Sequence, residues 1–129
     1  MNTTIGFIGK AKITETEQRL LTLMGQVIAA AGKELIIVPA PGATESVENG
    51  VKMEGGKVRR LETGVLNATA HTFIFADERL MTRLRATNPN IDTDPSVFLL
   101  SSPIEIEMWL DAAKIVLADR KITFPTQGA

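Results

Sequence analysis

The sequence predicts an α/β domain of Rossmann-like architecture: a three-layer sandwich whose mostly parallel sheet has five to six strands, with helices on both faces. Three observations predict it. Short apolar runs without polar alternation recur, such as Leu35-Ile-Ile-Val38 and Val97-Phe-Leu-Leu100, and such runs suit strands covered on both faces. Segments with helical spacing of apolar residues lie between them. Strand and helix alternate throughout, the order that builds parallel sheets from βαβ units.

The elements follow in order. Residues 5–9, Ile-Gly-Phe-Ile-Gly, read as a buried strand. Thr14 and Glu17 form a capping box, the Thr14 hydroxyl accepting from a backbone N–H while Glu17 reaches back. Leu20, Leu23, Met24, Val27, Ile28 and Ala31 then mark one helix face, and Gly32 stops the helix. A second strand spans 35–38, a turn 39–43 and a helix 44–54, ended by Gly55-Gly56. Lys57-Val58-Arg59 begins a short third strand. Residues 61–70 read as a short helix, 71–76 as a fourth strand and 78–86 as an arginine-rich helix. Asn88-Pro89-Asn90 and Asp92-Thr-Asp-Pro95 carry loop chemistry, and 97–100 is a fifth strand. Ser102-Pro103-Ile-Glu105 gives N-cap, N1 proline and N3 glutamate, and Trp109, Ala112, Ala113, Val116 and Leu117 supply that helix's buried stripe. Lys121 to Phe124 adds a sixth, edge strand. Residues 1–124 thus read as one domain and 125–129 as a mobile tail.

Composition narrows the function classes. The 129 residues suffice for one domain with a core. The net charge of −1 supplies no field to hold a polyanion, so nucleic acid is not the expected partner. There is no cysteine, which removes disulfides, thiolate metal sites and a cysteine nucleophile. A single histidine, His71, cannot build a two-histidine metal site within one chain, and no metal is expected. The start of the chain lacks a basic region followed by a long apolar run, and no apolar stretch reaches the ~20 residues of a membrane span. The expected compartment is the cytoplasm.

The informative spacing runs from Gly42 through Val47, Gly50 and Gly55-Gly56 to Val58. Gly42 permits a tight turn and close approach of a ligand to the backbone, and the following helix start offers unpaired N–H groups to an anion. Gly50 inside a helix costs roughly 1 kcal/mol against alanine, which points to close helix-to-sheet packing. This spacing resembles the SLOG superfamily, which includes LOG-type "lysine decarboxylase-like", DprA-like and molybdenum-cofactor-carrier-like proteins. Their pattern is G-x-M-x-x-V-x-x-G-A-x-x-x-G-G-x-V. The match is ungapped from Gly42 to Val58, with Thr44 in place of methionine and Val51 in place of alanine. The lead-in through Gly9, Met24-Gly25, Gly32 and Leu35–Val38 also fits. The resemblance implies a Rossmann-like fold and nucleotide-related ligands. The family's second motif, P-G-G-x-G-T-x-x-E, supplies the phosphate cradle and catalytic glutamate of its phosphoribohydrolases. Here Phe75-Ala-Asp-Glu-Arg-Leu80 stands in its place.

In a parallel sheet, ligands sit beyond the carboxyl ends of the strands. That rim predicts binding by Gly9, Lys10, Pro41, Gly42, Ala43, Thr44, Glu45, Asp77 and Ser101. Arg79, Arg83 and Arg85 read as a solvated face, with a partner or phosphate contact as the alternative. His71 starts a strand away from the rim and reads as structural. The expected function is binding of a nucleotide-like, phosphate-bearing small molecule by a sensor, carrier or sequestering protein, with no cofactor and as a homodimer. The alternatives are a nucleotide N-glycosidic hydrolase using Glu78 and Arg60, and a DprA-like module for nucleic-acid or protein interaction.

Overall fold

The computed structural model describes residues 4–118. Five parallel strands form one sheet in the order β3-β2-β1-β4-β5. They are β1 (Thr4–Gly9), β2 (Glu34–Ile37), β3 (Lys57–Arg60), β4 (His71–Phe75) and β5 (Val97–Leu100). The helices are α1 (Glu15–Ala30), α2 (Ala43–Met53), α3 (Val65–Ala68), α4 (Glu78–Thr87) and α5 (Pro103–Ala118). The expected α/β Rossmann-like fold is present. The sixth strand expected at Lys121–Phe124 and the tail 125–129 lie outside the described residues.

Alternation along the strands divides the interior into two unequal cores. Ile5 and Phe7 of β1, Phe73 and Phe75 of β4, and Phe98 and Leu100 of β5 face α1, α2 and α5. Ile8, Ile74, Val97 and Leu99 point the other way, toward Leu66 of α3 and Met81 and Leu84 of α4. The first core is thick and fully buried. The second holds few fully buried side chains, and α4 contributes none of them.

Helix ends follow the sequence chemistry. The Thr14 hydroxyl accepts from the Glu17 amide at 3.1 Å, and the Glu17 carboxylate accepts from the Thr14 amide at 2.9 Å. At the C-terminus of α1, Lys33 N–H donates to Ile28 and Gly32 N–H to Ala29, a Schellman motif with Gly32 at φ +74°. Helix α2 ends the same way, Gly56 donating to Val51 and Gly55 to Lys52.

Three expectations change. The helix expected over 61–70 shrinks to Val65–Ala68, because Gly64 enters it in the left-handed region and Thr69 leaves it extended. The inner stripe of α5 is Ile106, Trp109, Leu110 and Ala113, while Ala112 is only half-buried and the Val116 and Leu117 side chains lie outside the described set. Gly50 serves helix-to-helix packing, not helix-to-sheet packing. A Cβ there would stand 2.0 Å from the Thr22 carbonyl oxygen of α1.

Glu48 of α2 is almost fully buried, yet it is a surface clamp by its partners. It accepts from Arg60 Nε at 2.8 Å and pairs with Lys52 at 3.3 Å, and both cations are half exposed. Glu48→Gln leaves solvated cations, not orphaned buried ones. A loss of about 0.5–1.5 kcal/mol is expected, read as a lowered urea midpoint with unchanged slope.

Candidate functional site

A cleft of about 840 Å³ opens at the carboxyl ends of β1 and β4. The topology makes it. These neighbouring strands feed helices on opposite faces, α1 after β1 and α4 after β4, so the chain parts between them. One bank is the segment from Phe7 to Lys12 with Val38, Ala40, Pro41 and Thr44. The other is α4, through Arg79, Leu80, Arg83, Leu84 and Thr87. Thr63 to Leu66 close the side under α3.

Gly9, Lys10, Pro41, Thr44 and Asp77 of the expected rim line this cleft. Gly42, Ala43, Glu45 and Ser101 are not among its lining residues, and neither are Arg60 and Glu78. The Pro41–Thr44 turn is largely committed to holding the fold. Gly42 has φ +83°, and a Cβ on it would stand 2.1 Å from the Ala11 carbonyl oxygen. Its closest neighbour is therefore the chain after β1, not an open approach for a ligand. The Ala43 amide donates to the Lys10 carbonyl at 3.0 Å. Buried Thr44 accepts from the Gly9 amide at 3.2 Å. The Thr44 and Glu45 amides keep no hydrogen-bond partner among the described residues.

Other candidates are similarly engaged. Ser101 donates its hydroxyl to Glu105 at 2.9 Å, and its amide also meets that carboxylate, so Glu105 caps α5 through Ser101. Asp77 caps α4 by accepting from the Leu80 amide at 2.8 Å. Arg60 is held by Glu48, and Arg59 reaches across the sheet edge to Glu34 at 2.8 Å. Adjacent strand residues face opposite ways, and neither arginine turns into the cleft. Half-buried His71 lies 5.5 Å from the Phe98 ring and outside the cleft lining.

The electrostatics rest on Lys12, Arg79 and Arg83. All three line the cleft, are exposed, and have no ion-pair partner among the described residues. Lys10 differs. Its ammonium lies 3.5 Å from Glu17 and 4.7 Å over the Phe75 ring, so its charge is already matched. Asp77 is the one acidic side chain in the lining. Three unmatched cations against one carboxylate leave an excess of two positive charges. Arg79 and Arg83, expected with Arg85 on a solvated face, instead line the cleft at i, i+4 spacing, with Leu80 and Leu84 on the same stripe. Arg85 turns away and makes a bidentate contact with Asp92, at 2.9 and 3.1 Å.

That outer contact fixes the loop after α4. The Arg85 guanidinium, mainly through its hydrogen bonds, holds the Asp92 carboxyl below the usual carboxylate range, and hydrogen bonds from Ser96 do the same for Asp94. Both carboxylates are favoured by folding. Their contribution is complete above the ordinary aspartate value of 3.8 and is lost as the pH falls through the lowered folded values. The loop contact therefore survives at pH 4 and opens at stronger acidity. A carbon-detected titration of Asp92 is expected to show a midpoint below 3.8 that rises in Arg85→Gln.

No protein-family model matches the chain, and no curated protein matches it in sequence. Solved structures do match its fold. The molybdenum cofactor carrier protein of Chlamydomonas reinhardtii superposes with a TM-score of 0.62 at 14% identity, over 92% of this chain and 99% of that one. A second structure of that protein gives 0.57 over the same shares. The molybdenum cofactor binding protein of the phototrophic bacterium Rippkaea orientalis gives 0.52 at 16% identity, over 87% and 97%. At such identities the likeness is one of fold: this chain shares the Rossmann-like architecture of these molybdenum cofactor carrier and binding proteins.

Proposed function

We propose that the cleft binds a small molecule bearing a phosphate group, nucleotide-like in size, and that the protein holds or carries this molecule without hydrolysing it. The observation that carries the reading is the trio Lys12, Arg79 and Arg83, unpaired on the lining of a cleft at the strand ends. Their excess of two positive charges over Asp77 complements a phosphomonoester, which carries about −1.5 to −2 at neutral pH. Leu66, Leu80, Leu84 and Val65 offer the apolar surface that the rest of such a ligand would cover.

Carriage is favoured over hydrolysis by where the acid–base groups lie. The hydrolase alternative needs Glu78 and Arg60 at the ligand, and neither lines the cleft. The structural neighbours are named as carriers and binders of the molybdenum cofactor. The donor set here fits an anionic portion of a cofactor of that kind. Lys12, Arg79 and Arg83 would hold the anion, whereas no group of three or more His, Cys, Asp or Glu side chains assembles for a bare metal ion among the described residues.

Isothermal titration at low ionic strength tests the reading, with nucleoside mono- and diphosphates, cyclic nucleotides and inorganic pyrophosphate as ligands. Saturable binding that weakens with salt is the expected result. Absence of binding by every one of them at millimolar concentration overturns it.

A further inference from the structure

We infer that α4 is a hinged arm that closes on the bound anion, an inference that rests on the binding reading above. Among the described helices α4 alone has no fully buried residue. The reason is positional. Its inner stripe, Arg79, Leu80, Arg83, Leu84 and Thr87, faces the open volume of the cleft, where the stripes of α1, α2 and α5 face packed sheet. A helix held by half-buried contacts is drawn from the low end of local stability, where moving elements are found.

The ends of α4 are closed by local caps. Asp77 caps the first turn, and the Asn88 side chain donates to the Leu84 carbonyl at 3.1 Å at the last. Arg85 binds Asp92 on the outer side, and Ile91 is buried in the second core, so the following loop is a fixed mount. A tilt between Ala76 and Asn88 keeps both caps, which lie within α4 itself, and loads only the exposed Arg85–Asp92 contact.

Charge gives the motion a direction. Arg79 and Arg83 are like charges at i, i+4 on one face, an arrangement that disfavours itself until an anion lies between them. Lys12 stands on the opposite bank. An anion bound to one bank alone gains only part of its partners. When α4 tilts inward, the same anion meets all three cations, and half-buried Leu80 and Leu84 lose more of their remaining exposed surface to the ligand. That differential contact between open and closed states is what a ligand needs to shift the population.

The chain has no cysteine, so paired labels are free of background. Ala68→Cys on α3 and Thr82→Cys on α4 are exposed and outside the cleft lining, and they carry nitroxide labels for pulsed dipolar distance measurement. With pyrophosphate or a nucleoside monophosphate the distance is expected to shorten by about 2–5 Å, the scale of known helix shifts, and its distribution to narrow. The same response should vanish in the background of Arg79→Gln with Arg83→Gln. Hydrogen exchange on the unlabelled protein gives a second readout: the α4 amides should slow most on ligand addition. Calorimetric binding with an unchanged distance and unchanged α4 exchange overturns closure while leaving the site intact. Absence of binding to any anion overturns both.

Discussion

Gly25→Ala is expected to destabilise the fold by about 2–4 kcal/mol, although alanine is the better helix former by about 1 kcal/mol. The contact decides the sign. A Cβ at Gly25 of α1 would lie 2.1 Å from the Val47 carbonyl oxygen and 3.0 Å from the Gly50 Cα of α2. These are backbone atoms, so no rotamer change relieves the clash, and the two helices must separate. Separation loosens Leu21, Met24, Val47 and Val51, all fully buried in the thick core. A lowering of the melting temperature by roughly 10 °C follows for a domain of this size. Gly32→Ala is the control. Gly32 has φ +74° but nothing near its missing Cβ, so only backbone strain of about 1 kcal/mol applies. Equal melting temperatures for the two variants would refute the packing account.

Replacing Arg79 and Arg83 together by glutamine is expected to lower affinity for phosphate-bearing ligands about 100-fold or more. Each charge-assisted hydrogen bond contributes about 1.5–3 kcal/mol, and exposure puts these contacts at the lower end. Two such losses multiply, at tenfold per 1.4 kcal/mol. Stability should change little, because neither side chain is buried or paired. Salt dependence should flatten in the same variant, since fewer cations meet the ligand. Arg60→Gln and Glu78→Gln are expected to leave affinity within about twofold by the same reasoning. If they abolish binding while Arg79→Gln and Arg83→Gln do not, the cleft is not the site.

The fold was legible because its determinants are local. Apolar runs marked β1, β2, β4 and β5 to within about a residue, and the Thr14–Glu17 box and the glycines at 32 and 55–56 marked helix ends. The lining of the candidate cleft was legible in part. Strand-end position pointed to Gly9, Lys10, Thr44 and Asp77, because the topology of a parallel sheet fixes where the crevice opens. Lys12, Arg79 and Arg83 were harder to assign. Nothing local separates an arginine facing a cleft from one facing water, as Arg85 shows two residues further on. The opposite error arose at Gly42 and Gly50. A glycine signals close approach but not by whom, and here the approaching groups are the chain's own Ala11 and Thr22 carbonyls.

Trp109 packs edge-on to Phe73 at 5.4 Å, inside the core on the far side of the sheet from α4. It is the sole tryptophan of a chain without tyrosine. Intrinsic fluorescence therefore watches one side of the molecule. It reports melting of the α1–α2–α5 layer faithfully and is silent to events among the arginines. A fluorescence titration that stays flat says nothing against ligand binding. A titration that does not stay flat reveals strain passing through the sheet, from the thin layer to the thick one.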